Sequence, residues 1–129
     1  MRRSTLLMRL GALSYLIWGA LHLVAGWRVF TLAATVPADM VQGRLEQAGW
    51  NLGCMAAAAM AVAVTMNWRS SLSGYWINAV LISVTDLGFL LFVLLPGYMP
   101  WQEGLMGPAF WIVGLILTTA GLQAPATRR

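Results

Sequence analysis

The chain has 129 residues, of which 60% are hydrophobic and only 9% charged. Soluble domains carry about 25% charged residues, so the composition excludes an ordinary water-soluble fold and points to one integral membrane domain over 1–129. The net charge of +4 comes wholly from arginine at the ends of apolar segments, which gives no footing to a nucleic-acid reader, and the lone Cys54 excludes an intrachain disulfide, a CxxC pair and a thiolate cluster.

Crossing the hydrocarbon takes about 20 apolar residues. The first predicted segment covers 10–29, and its apolar character runs on to Val36, before Pro37. Basic, then apolar, then small residues give this stretch the outline of a signal peptide. Its apolar run exceeds the roughly 7–15 residues of a signal core, so it reads as a retained helix. The following "PADMVQGRLEQAGWN" reads as a short interfacial helix, with Pro37 in its first turn and Met40, Val41 and Leu45 toward the membrane.

The second segment covers 48–66, with Asn51 near its start as a cap or an interhelix hydrogen bond. The third covers 75–95 and stops at Pro96. A Pro- and Gly-rich stretch, "LPGYMPWQEGLMGP", caps the way to the fourth, 105–122, whose first turn tolerates Pro108. The predicted fold is therefore an all-α bundle of four transmembrane helices.

An even number of crossings puts Arg2, Arg3, Arg9, Arg69, Arg128 and Arg129 on one side. Arg28 and Arg44 fall on the other, with Asp39, Glu46 and Glu103. The positive-inside rule then predicts both termini in the cytoplasm and a multi-pass protein of a bacterial inner membrane. The aromatic belts agree, with Trp27, Trp50, Tyr98 and Trp101 at the outer interface and Trp68, Tyr75 and Trp76 at the inner one. Trp18 and Trp111 lie deeper.

A rise of about 1.5 Å per residue places Asp86 roughly 16 Å, His22 and Trp111 roughly 18 Å and Cys54 roughly 20 Å above the inner interface. All four then share one layer near the bilayer centre. An ionised carboxylate there costs about 2.5–3.5 kcal/mol, so Asp86 is expected to face the bundle interior with His22 as its partner. A neutral hydrogen bond and an ion pair are two ends of one proton transfer between them. Helical spacing puts Tyr15, Trp18, His22 and Gly26 on one face of the first helix. On the third, Asn78, Ile82, Asp86 and Phe89 share a side. The expected ligand or proton site is His22, Asp86, Trp18, Trp111, Asn78 and Phe89. Each has a plain alternative: a neutral acid tying two helices, two tryptophans as packing, Cys54 as a small core residue. Gly49 and Gly53, and Gly107, Gly114 and Gly121, are spaced for close helix packing.

One histidine excludes bis-histidine haem ligation within the chain; Met55 or a second subunit would have to supply the other axial ligand. No ligand spacing supports a metal set, and hydrolase and transferase constellations lack their parts. Two function classes remain: a site for a lipophilic small molecule or quinone, anchored by His22 and Asp86 and coupled to protonation, with a small transporter as a variant; or a structural subunit whose polar layer fixes helix register. Homo-oligomerisation or a place in a larger membrane complex is expected of four such short helices.

The arginine-flanked "RLGALSYLIWGALHLVAGW" and the third helix ending in "LLPGY" loosely resemble the DoxX-like group of small four-helix bacterial membrane proteins. That resemblance implies the four-helix plan, and some members are associated with quinone-linked sulfur oxidation or thiol redox balance. No site residue is carried over from it. The plan is also similar to small multidrug transporters, which keep an essential glutamate in their first helix, where this chain has no acid.

Overall fold

The computed structural model describes residues 3–124, and every described element is helical. Helix α1 runs Arg3–Ala33 and α2 runs Met40–Thr65. A 3-10 turn, Asn67–Arg69, leads to α3, Leu72–Phe89, which continues as a π turn over Leu90–Leu94. A single helical turn, α4, Trp101–Gly104, precedes α5, Met106–Gln123. Four of these stretches are long and apolar enough to cross a membrane. The surface agrees: Ile17 and Val24 on α1, Val80, Val84 and Phe92 on or beyond α3, and Ile116 on α5 all point outward, a coat suited to lipid.

Two expectations are corrected. The polar stretch after Pro37 is no separate interfacial helix, because α2 begins at Met40 and runs through it without a break. Asp39 starts α2, accepting from the backbone N–H of Val41 at 2.8 Å and Gln42 at 3.4 Å, which satisfies donors that a helix start leaves open. Asn51 therefore stands well inside a helix rather than at its end. The third segment is helical up to Leu94, capped by Leu95 just before Pro96, as expected; in its last turn the Leu95 N–H reaches back five residues to the Leu90 carbonyl, the signature of a π turn. Pro108 sits in the first turn of α5 as expected.

The α2–α3 reversal is tight. Ser70 adopts a left-handed conformation (φ 59°), and Ser71 Oγ accepts from the Gly74 N–H at 3.3 Å. A side chain at Gly74 would come within 2.5 Å of Met66 Cβ, so only glycine lets α3 start against this turn.

Helix α1 packs along α2 on one side and α5 on the other, while α3 closes the opposite side against the same two helices. Without a hydrophobic driving force in lipid, close backbone approach and hydrogen bonds hold such helices together. Gly26 and Gly49 meet backbone to backbone: a Cβ on Gly49 would lie 2.9 Å from the Gly26 carbonyl oxygen. Gly114 lies under the Tyr15 ring and Gly121 against Met8. Gly53, the other half of the expected small-residue pair, has open space where a side chain would be.

Hydrogen bonds tie the helices at several levels. Thr118 gives its proton to the Gly114 carbonyl at 2.8 Å, so the Tyr15 hydroxyl, 3.2 Å away, donates to Thr118. Ser14 donates to the Phe110 carbonyl at 2.8 Å, and Tyr75 and Thr119 pair at 3.1 Å. The Arg9 guanidinium lies 5.4 Å above the Trp68 ring at the end of the bundle that carries the N-terminus, within cation–π range.

Candidate functional site

Asp86 is fully buried on the inner face of α3 and reaches across the diagonal of the bundle to α1. Two α1 side chains, one helical turn apart, receive it. Trp18 Nε1 donates to Asp86 Oδ2 at 2.9 Å, and His22 Nε2 lies 3.1 Å from Oδ1. The His22 contact is short but oblique, with Oδ1 off the line of a ring N–H, so this oxygen receives no well-aligned hydrogen bond. The other ring nitrogen, Nδ1, lies 2.8 Å from the Trp18 carbonyl oxygen. The indole and imidazole rings stack at 3.9 Å with 25° between their planes.

These contacts constrain the proton arrangement. A carbonyl only accepts, so Nδ1 carries a hydrogen. One proton between Nε2 and Oδ1 would suit the approach, either on the carboxyl group next to a neutral imidazole or on an imidazolium next to a carboxylate. With none, a nitrogen lone pair faces an anion; with two, two donors face each other. The Trp18 indole serves both one-proton forms, since Oδ2 accepts in each. Either one-proton form would leave the pair neutral overall, which is what a low-dielectric setting favours.

Gly107, at the start of α5, completes the site. A Cβ there would lie 2.7 Å from His22 Cε1 and 3.4 Å from Nε2, so the missing side chain is the space the imidazole occupies. Above Asp86 the backbone changes character: the Leu90 N–H is shared between the Asp86 and Leu87 carbonyls as the π turn begins. Such turns often mark functional sites.

The structure brings together three of the six expected site residues: His22, Asp86 and Trp18. Trp111 packs against the buried cluster that includes Trp18 and Ile82, but its nitrogen is not directed at Asp86. Its Nε1 donates to Ser83 Oγ at 2.9 Å, joining α5 to α3. Asn78 is fully buried two turns from Asp86, and its Nδ2 donates to Asn67 Oδ1 at 2.8 Å and the Ala59 carbonyl at 3.1 Å. The fully buried Ile82 stands between Asn78 and Asp86 on the same face. Phe89 is half-buried, and among the described residues it makes no ring contact with the pair. Trp18 is not a free stacking platform, because it is fully buried and the His22 ring already covers one of its faces.

Cys54 is exposed, not in the core. It helps line an open apolar groove of about 340 Å³ between the α1 and α2 ends nearest their connection, with Leu23, Trp27, Phe30 and Trp50. Met55 is also exposed on α2, away from a partnership with His22. No known family, curated protein or solved structure matches the chain.

Proposed function

We propose that this is a multi-pass protein of a bacterial inner membrane, with both termini cytoplasmic, that couples the proton of its His22–Asp86 pair to a lipophilic small molecule. One observation carries the reading: a fully buried carboxyl group whose oxygens, among the described residues, meet only Trp18 and His22 of the opposite helix. An intramembrane acid with a titratable partner is a functional hypothesis by default. Loss or gain of that one proton sets like against like and loosens α3 from α1. A ligand able to exchange hydrogen bonds with the oblique Oδ1, a quinone or other carbonyl compound, would draw on the same change. The DoxX-like resemblance supports the same ligand class. The arginines toward the terminal end of the bundle support the orientation.

Full burial of Trp18 and Asp86 favours a second reading, in which the triad is a static tie between helices and the protein is a structural subunit. Infrared spectroscopy separates them. The Asp86 carboxyl band, assigned by its loss in Asp86→Asn, is followed across about pH 5–9 in lipid, with and without a short-chain quinone analogue. Coupling requires the band to change with pH, to respond to the quinone and to alter its pH profile in His22→Gln. A band indifferent to all three leaves only the static tie.

A further inference from the structure

Buried polar side chains are spread unevenly along the bundle. Among the described residues they are Ser14, His22, Asn67, Asn78, Asp86 and Thr118. Seen from the His22–Asp86 layer, the other four all lie toward the end that carries the N-terminus. Ser14 comes earlier on α1, Asn78 earlier on α3, Thr118 later on α5, and Asn67 is in the turn between α2 and α3. In the other direction the buried side chains are Ala33, Leu94 and Pro108. Leu94 packs on Gly104, and the His22 ring fills the space at Gly107. Apolar groups seal one side of the pair, and polar groups lead away from the other.

The polar side holds atoms that the chain leaves unmatched. Asn78 Nδ2 donates to Asn67 Oδ1 at 2.8 Å and to the Ala59 carbonyl at 3.1 Å. The other ends of the two amides, Asn67 Nδ2 and Asn78 Oδ1, have no hydrogen-bond partner among the described residues, although both residues are fully buried. Buried polar groups are costly when bare. One of these is a donor and the other an acceptor, on amides that are already joined. Water both accepts and donates, and buried water settles on groups of this kind. Asp86 Oδ1 is the next buried oxygen along α3 with no aligned donor, its residue about 12 Å from Asn78 along the axis. Ile82 stands between them, fully buried in a cluster with Tyr15, Trp18 and Ala59.

From these observations we infer that Asn67 and Asn78 hold a water inside the bundle, and that through it the His22–Asp86 pair exchanges its proton with the N-terminal end. Ile82 is the barrier between this water and the pair. When Ile82 moves aside, further waters bridge the gap. A proton leaves the pair along them and another enters the same way, so only O–H and N–H bonds break and form, and each one lost is replaced. The use of this route rests on the proton-coupled reading above. The route itself does not, because a static pair also exchanges its proton with solvent.

Deuterium exchange at the pair tests the route. The protein in phosphatidylethanolamine–phosphatidylglycerol vesicles is moved from H2O to D2O. Exchange is followed by the deuterium shift of the Asp86 carboxyl band or, for the ion-pair form, of the His22 ring modes. Asn78→Leu and Asn67→Leu keep the volume and remove the water's partners, and should slow exchange about tenfold, the factor carried by one buried hydrogen bond. A merely structural amide pair predicts the opposite sign, since its loss loosens the bundle and speeds exchange. Asn78→Ser, which keeps a polar group, should stay near the native rate. Ile82→Ala should exchange faster than the native chain, and Leu94→Ala should not. A crystal structure of the native chain grown from lipid should show water in contact with Asn67 Nδ2 and Asn78 Oδ1, a result that needs no variant to fold. Exchange at the native rate or faster in both leucine variants, equal acceleration by Leu94→Ala and Ile82→Ala, a pair that never exchanges, or no water at the amides would each overturn the inference. A carboxyl band indifferent to pH and quinone, with these rates as expected, would instead overturn the coupling and keep the route.

Discussion

Substituting Gly107 by alanine tests the site through a residue that carries no functional group. The added Cβ would sit 2.7 Å from His22 Cε1. Ordinary van der Waals contact begins at 3.4 Å, so the ring or α5 must give by about 0.7 Å, the difference between those distances. The ring has little freedom to give. It is held by the 2.8 Å contact to the Trp18 carbonyl and by the 3.9 Å stack on the indole. Overpacking of this kind costs about 1–3 kcal/mol, and any ring movement also alters the 3.1 Å approach to Asp86. Gly88→Ala is the control: it lies two residues from Asp86, yet its Cβ would meet nothing within 4 Å. Unfolding free energies from a mixed-micelle detergent titration should drop by about 1–3 kcal/mol for Gly107→Ala and stay within about 0.5 kcal/mol for Gly88→Ala. The Asp86 infrared band should shift only in the first. Equal stability of the two variants, with an unmoved band in both, would refute the packing argument.

Trp18→Phe removes the only donor to Asp86 Oδ2 among the described residues and should cost about 1–3 kcal/mol while shifting the carboxyl band; an unmoved band would remove Trp18 from the site. Gly49→Ala drives a Cβ to 2.9 Å from the Gly26 carbonyl and 3.0 Å from the Phe30 ring. It should lower stability by about 1–3 kcal/mol in the same titration, whereas Gly53→Ala should be neutral or gain up to about 1 kcal/mol from helix propensity. For the orientation, a green fluorescent reporter fused after Arg129 should fluoresce and alkaline phosphatase inserted at Thr35 should be active; the reverse pattern would overturn it.

Much of the fold was legible because lipid demands long apolar runs, and four such runs stand out in the composition. The start of α2 was not. Arg44, Glu46 and Gln47 read as a polar connection, yet a helix that continues past the hydrocarbon is free to carry them, and Asp39 is the cap that marks its true beginning. That misplacement also hid Asn51, which looked terminal and is internal. The pairing of His22 with Asp86 was readable from depth alone, since both fall near the centre and each needs a partner there. Helical spacing placed Trp18 on the His22 face without showing that its indole nitrogen reaches Asp86. Trp111 looked equivalent by depth, but its nitrogen is aimed at Ser83, and such aim depends on rotamer and helix rotation. Cys54 was misjudged because cysteine is among the most buried residue types, and its place on α2 outweighs its chemistry.

The contact between Trp18 and Asp86 joins residues 68 apart in the chain, and that distance sets an order of events during synthesis. Helix α1 emerges first and enters the bilayer with its receptor already furnished. The His22 ring is tethered through Nδ1 to the carbonyl four residues back, so its orientation is set within its own helix. Asp86 has no partner in its own helix; both of its oxygens face residues of α1. The earlier-made helix thus carries the groups that meet a carboxyl translated two helices later.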